Sequence, residues 1–281
     1  MKERNHKVLN HPILGYFLLL IWGGLVISIG SMLDTATLAK VIPGYAIQIE
    51  VMGQTRSTAS GVMVALVSVL ALLLHKLWFA PNYKGMLITK NLKAGLLLLI
   101  PFVIAHWIGS FLSISVVGVG SIGLAFLHAL SPGFGEEMLF RGLGISNFMR
   151  TVKSEKRIYV IFWLSSLTFG FAHASNMISG AALSTSIIQS FYAVGIGLLL
   201  GAVYLRTGNL LPTIIAHFCL DFMEFVRADL TESGGIMQDT LIGDKVTVVV
   251  AIAAGIFGIF LMRKSKLPEV MSVWNERWSK S

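Results

Sequence analysis

Apolar residues run along this chain in long unbroken blocks, without the alternation of a half-buried strand or the stripe of a surface helix. A membrane span needs about 20 such residues. Eight stretches approach that length: 12–32, 57–80, 91–113, 121–149, 158–174, 182–205, 210–226 and 245–263. The pattern predicts an all-α fold, a polytopic membrane protein of about eight transmembrane helices in a single membrane domain over residues 1–281. The fifth and seventh blocks are short and interrupted by ionisable residues. The fourth is too long for a simple span, and Ser131-Pro132-Gly133 predicts a kink there or a new helix with Ser131 as its cap. The first block lacks a small-residue cleavage site and reads as a retained span.

Composition agrees with that reading. The chain is 55% hydrophobic and 13% charged, against about 25% charged in soluble domains. Its 28 glycines against 7 prolines suit helices packed closely in lipid. The net charge of +8 changes the picture only through its placement. Basic residues sit between the apolar blocks, which is a topology signal and not a nucleic-acid footprint. With both termini inside, Lys2, Arg4, Lys7, Lys76, Lys84, Lys90, Arg150, Lys153, Arg157, Arg206, Arg263, Lys264, Arg277 and Lys280 are among the inner cations. The outer segments hold Lys40, Arg56, Arg227 and Lys245. The expectation is a multi-pass protein of the cell membrane with cytoplasmic termini, partnered by the lipid bilayer and by no nucleic acid. Cys219 is the single cysteine, so no intramolecular disulfide forms.

Candidate chemistry comes from charges inside the apolar blocks. Each ionised side chain at mid-bilayer costs roughly 2.5–3.5 kcal/mol. Glu136, Glu137 and Arg141 lie in one stretch, and unpaired they would cost about 8–10 kcal/mol together, as much as a domain's whole stability. Glu137 and Arg141 are four residues apart and can pair on one helix face. Glu136 points about 100° away and has no local partner. The next block holds Phe169-x-x-x-His173, and the seventh holds His217-x-x-x-Asp221. Measured by helix rise from the nearest inner cation, Glu136, His173 and His217 lie about 21, 24 and 16 Å deep. Three helices thus deliver polar side chains to one approximate depth. His106 and His128 read as interhelical contacts, His75 and Glu224 as interfacial residues, and Phe169 as packing.

A carboxylate and an imidazole at a shared depth can activate a water. A second histidine can orient that machinery or stabilise an oxyanion, with Asp221 holding its tautomer or sharing a proton. Glu136, His173, His217 and Asp221 are also good zinc ligands. One divalent metal such as zinc, or no cofactor, both fit at this point. Neither a His-Glu-x-x-His zinc motif nor a Gly-x-Ser-x-Gly elbow is present.

The series Glu136-Glu137-x-x-x-Arg141, Phe169-x-x-x-His173, His217-x-x-x-Asp221 resembles the three-motif signature of the CPBP family, the Abi or CAAX-protease and bacteriocin-processing intramembrane endopeptidases. The resemblance covers residues 121–226, taken as the catalytic core, and includes Leu205-Arg-Thr-Gly-Asn-Leu-Leu-Pro212. It implies a helical core with a catalytic cavity within the bundle. By similarity, Glu136 with His173 activates the water, His217 with Asp221 stabilises the oxyanion, and Glu137, Arg141 and Phe169 support the site. Glutamate-type and metalloprotease mechanisms both stay open. The implied substrate is a membrane-associated peptide or protein. The family's last motif commonly ends in Asn where this chain has Asp221, and an ionised Asp opposes an oxyanion unless it is protonated, paired or metal-bound. Two rivals remain: a proton-coupled transporter, for which no inverted repeat is visible, and a non-catalytic scaffold of the same fold.

Overall fold

The computed structural model describes residues 10–33, 48–51, 54–57, 59–85, 90–119, 122–178, 183–227 and 242–278. Lys2, Arg4, Lys7, Lys40 and Lys280, used above for topology, lie outside the described residues. The chain is overwhelmingly helical. Its long elements are α1 (Pro12–Leu33), α2 (Ala59–Trp78), α3 (Leu92–Val117), α4 (Ile122–Leu130), α5 (Ser146–Arg150), α6 (Glu155–Ala174), α7 (Leu183–Thr207), α8 (Leu211–Phe225), α9 (Ile242–Leu261) and α10 (Leu267–Arg277). One small antiparallel hairpin, β1 (Gln48–Val51) with β2 (Gln54–Ser57), precedes α2.

All eight expected stretches contain helix. Length and apolarity alone qualify five helices as membrane spans, or six if α9 and the segment Lys264–Arg277, bent 60° from it, count as one. The expected eight are therefore not all established by that criterion. The stretches that fall short include α8, which has only 15 residues, and the segment around Pro132. These two carry the ionisable residues, so they lack an uninterrupted apolar run.

The segment around Pro132 departs from expectation. No new helix begins with Ser131 as its cap. The chain stays helical but widens into π turns over Ser131–Glu136 and again over Met138–Ile145 before α5. Pro132 has no N–H to donate and its ring crowds the preceding turn, so the ladder shifts register instead of breaking. Such π turns recur at functional sites. Here they re-aim Glu136 and Glu137, and the 100° spacing of a regular helix no longer describes them. Gly133 makes the close packing possible, because a Cβ there would meet Phe218 at 2.8 Å.

The π segment is enclosed by α1, α2, α6 and α8. On the far side α7 packs against both α6 and α9. Small residues set that contact: Gly258 lies against the Leu198 and Leu199 backbone. The exposed side chains of α1, α2, α3 and α9 are largely apolar, among them Ile21, Leu66, Phe111 and Ile256, as lipid-facing surfaces require.

The basic end of the bundle is tied by hydrogen bonds around the α7–α8 turn. Gly208 has φ +59°, ends α7 by donating to Tyr204 O at 2.8 Å, and accepts from Arg277 Nε at 3.1 Å. Asn209 then forms an Asx turn leading into α8, its Oδ1 accepting from Leu211 N–H at 3.0 Å, and Pro212 occupies the first turn, where a missing N–H is harmless. Trp274 Nε1 donates to Leu205 O at 2.8 Å. The Tyr83 hydroxyl meets that of Tyr204 at 2.8 Å, and burial pushes the Tyr83 phenol up to about 12. This turn fixes where α8 starts, and so how deep His217 lies.

His75 was expected at the membrane interface. It is instead buried inside the protein, its ring 6.0 Å from Phe79, because α2 turns that face toward the bundle.

Candidate active site in the helix bundle

The π segment, α6 and α8 bring Glu136, Glu137, Arg141, His173, His217 and Asp221 together. Glu137 and Arg141 are both fully buried, with Arg141 Nη1 2.8 Å from Glu137 Oε1. The same Glu137 oxygen lies 2.8 Å from His217 Nδ1. Arg141 Nη2 also donates to Gly197 O at 3.3 Å. The i,i+4 pair expected from spacing is therefore present, and it holds a histidine of another helix as well.

Phe169 does more than pack. Its ring lies under the Arg141 guanidinium, 4.5 Å from centroid to Cζ, a cation–π geometry. It also stands edge-on to Phe140, His173 and His217, at 5.2, 4.8 and 5.7 Å. One aromatic ring thus sets the spacing of both imidazoles and their brace. Phe140, Gly197 and this role of Phe169 escape sequence reading, because an aromatic or glycine in an apolar helix carries no signal by itself. A Cβ at residue 197 would lie 3.2 Å from Phe169, so the glycine also makes room for the ring.

The two imidazoles are oriented by their Nδ1 atoms. His173 Nδ1 is 2.9 Å from Phe169 O. A carbonyl only accepts, so Nδ1 carries the proton and, in the neutral ring, Nε2 is the free base. That Nε2 lies 3.9 Å from Glu136 Oε2. His217 presents Nε2 to two carboxylates, 3.9 Å from Glu136 Oε2 and 3.4 Å from Asp221 Oδ2. Exposure is graded. Glu137 and Arg141 are closed off, while the Glu136 and Asp221 side chains are 35% and 28% exposed. His173 stands on the last turn of α6 and Asp221 near the end of α8.

The metal alternative can be tested on these distances. A tetrahedral zinc with bonds of 2.0–2.1 Å holds its donors about 3.3–3.5 Å apart. Only the His217–Asp221 separation meets that, and both Glu136 separations are longer. Among the described residues, no group of three or more His, Cys, Asp or Glu side chains could hold a metal ion. The donor set as arranged does not fit.

Comparison with known proteins bears on this region. Residues 119–223 match the family model described as Rce1-like, type II CAAX prenyl endopeptidase. The match is consistent with the CPBP/CAAX protease family. It covers the π segment, α6, α7 and most of α8, and so every side chain of the cluster. No curated protein and no solved structure matches the chain. Over residues 119–223 the chain is similar to CAAX-type intramembrane proteases in general, hydrolases of peptides or proteins in a membrane setting.

A second polar cluster adjoins the first. Glu224, expected at the interface, is largely enclosed. Its Oε1 lies 3.1 Å from His106 Nε2 and accepts from Ser110 Oγ at 2.6 Å. Its Oε2 lies 3.4 Å from Arg227 Nη1. His106 is the interhelical contact it was expected to be, and its Nδ1 meets the Tyr192 hydroxyl at 3.3 Å. His128 is buried, its ring 5.6 Å from Phe225.

Proposed function

We propose that this protein is an intramembrane endopeptidase that cleaves a membrane-associated peptide or protein with a water activated by Glu136 and His173. One observation carries the reading. Glu136 Oε2 is a buried oxygen without a hydrogen-bond partner among the described residues, 3.9 Å from the Nε2 atoms of two histidines on different helices. That spacing is too long for a direct hydrogen bond and suits one bridging water.

The roles divide by environment. Glu136 accepts the proton as the water attacks the scissile carbonyl, and His173 Nε2 orients that water. His217 has a carboxylate at each nitrogen, Glu137 at Nδ1 and Asp221 at Nε2, so both nitrogens are set to donate. Its Nε2–H is the donor for the oxyanion of the tetrahedral intermediate. Collapse of that intermediate breaks the C–N bond, and the proton held by Glu136 passes to the leaving amine. Asp221 pairs with His217 and so need not face the oxyanion as a lone charge. Glu137, Arg141 and Phe169 hold His217 in place.

The test uses cells expressing the wild type or Glu136→Gln. Peptide termini of membrane and exported proteins are profiled by mass spectrometry. Termini that appear only with the wild type, at equal expression and equal thermal unfolding, are the expected result. Identical profiles would overturn the reading.

A further inference from the structure

Helix α3 lies outside every motif that carries the chemistry, yet it grips the helix that bears His217 and Asp221. His106 and Ser110, one turn apart on α3, both bind Glu224 of α8, at 3.1 and 2.6 Å. Trp107, between them, donates its indole N–H to Cys219 O at 2.7 Å. Cys219 stands between His217 and Asp221. The two helices are also joined past their ends by a backbone bridge between Val119 and Arg227. A third helix supports the grip, since Tyr192 of α7 meets His106 Nδ1 at 3.3 Å. The hydrogens can be assigned by elimination. With Nε2 3.1 Å from the Glu224 carboxylate, the proton belongs on Nε2, which leaves Nδ1 to accept from the Tyr192 hydroxyl.

His217, Asp221 and Glu224 occupy positions i, i+4 and i+7 of α8, a single face of the helix. Holding Glu224 fixes the azimuth of that face, and holding the Cys219 carbonyl fixes its height. Both matter to His217, which must meet Glu137 with Nδ1 while Nε2 stays 3.4 Å from Asp221 and 3.9 Å from Glu136. A rotation of α8 by 20° would move an imidazole about 6 Å from the axis by about 2 Å, enough to lose this arrangement. The contacts are also specific in kind. Helices held only by apolar packing in lipid have no strong preference for one rotation, whereas two hydrogen bonds and one ion-pair contact at fixed heights do.

We infer that His106, Trp107 and Ser110 of α3, with Tyr192 behind them, are positioning residues that set the rotation and height of α8 and so aim His217 and Asp221 at the reacting carbonyl. The inference rests on the endopeptidase reading, and its test separates the two. The protein is placed in lipid nanodiscs, and the rate of a Glu136-dependent cleavage is measured for His106→Leu, His106→Gln, Trp107→Phe and Ser110→Ala. A misplacement of about 1 Å costs on the order of 10²-fold in rate. His106→Leu is expected to lose kcat by about that factor with KM little changed. Trp107→Phe and Ser110→Ala lose roughly tenfold each, being one bond of several. His106→Gln keeps a donor for Glu224 and restores most of the rate. The readout without substrate is the ¹⁵N resonance of the His217 Nδ1–H, held by Glu137 in the wild type. It broadens or shifts in His106→Leu and returns in His106→Gln.

Wild-type kcat and an unchanged His217 resonance in all four folded variants would overturn the positioning role, and so would losses that follow only the fraction of folded protein. A Glu136→Gln protein that cleaves as well as the wild type would instead overturn the endopeptidase reading. The His217 resonance would then still decide the positioning of α8.

Discussion

Two buried clusters in this molecule are built from the same three residue types. In one, Arg141 and Glu137 lie four residues apart on the π segment and hold His217 of α8. In the other, Arg227 and Glu224 lie three residues apart at the end of α8 and hold His106 of α3. Each pairs a guanidinium with a carboxylate in an apolar setting, and each uses that carboxylate to fix an imidazole. They differ in the remaining nitrogen of the histidine. His217 turns Nε2 toward Glu136 and Asp221, both partly exposed. His106 turns Nδ1 toward the Tyr192 hydroxyl inside the protein. The local electrostatics are alike, so they do not single out the proposed active site. What singles it out is an imidazole nitrogen aimed at a second carboxylate that is partly exposed.

The comparison is most sharply tested by the glutamates. Glu136→Gln is expected to cut cleavage by about 10²–10⁴-fold, the range of a lost general base, with thermal unfolding unchanged. Glu224→Gln should cost less, because it disturbs only the aim of His217. Equal losses from both would erase the distinction between the clusters.

Stability should separate the two arginines. Arg141→Met leaves Glu137 as a fully buried carboxylate without its guanidinium, and breaking such a pair costs about 3–5 kcal/mol. Arg227→Met should cost only about 1–3 kcal/mol, since Glu224 keeps His106 and Ser110. Thermal unfolding in one lipid or detergent composition checks both, and the reverse ranking would break the comparison.

Phe169→Leu removes the ring under Arg141 and between the two imidazoles. About 1–2 kcal/mol of stability is expected to go with its cation–π and edge-on contacts, together with part of kcat. Unaltered unfolding and kinetics would reduce Phe169 to filler.

The smallest effect belongs to α10, outside the spans. Lys90 pairs with Glu276 on the exposed surface at 2.8 Å, and that hydrogen bond holds the Glu276 carboxyl below its ordinary value. A lowered folded pKa contributes stability above the unfolded carboxylate value, and the contribution is lost as pH falls through the folded one. Glu276→Gln should therefore leave unfolding nearly unchanged at neutral pH and flatten slightly its dependence on acid. A large shift at neutral pH would mean that this surface pair matters more than exposed pairs do.

The proposed catalytic cluster is far more legible in the sequence than the second one. Glu136, Glu137 and Arg141 stand out because charge inside an apolar block is costly, and His173 and His217 because helix rise puts them at the same approximate depth. Glu224 looked interfacial because it stands near the end of its block, and nothing in sequence spacing ties it to His106, more than a hundred residues earlier. The π turns were missed for a similar reason. Pro132 announces a disturbance, but whether the ladder breaks or widens depends on what packs around it, here α2 against Gly135 and α8 against Gly133. Trp107, Ser110 and Tyr192 carry no motif at all.

By itself the sequence determined that this chain is a helical membrane protein and that a few charged residues must be paired within it, because both follow from the cost of exposing polar groups to lipid. It also determined the Glu137–Arg141 contact, which is local to one turn. Only the tertiary structure decided that one oxygen of Glu137 would serve both Arg141 and His217, that Glu136 would face two imidazoles at equal distance, and that α3 would hold α8 in rotation. Those contacts join segments far apart in the chain, and the packing of helices sets their geometry to within an ångström, which residue spacing along one helix cannot express.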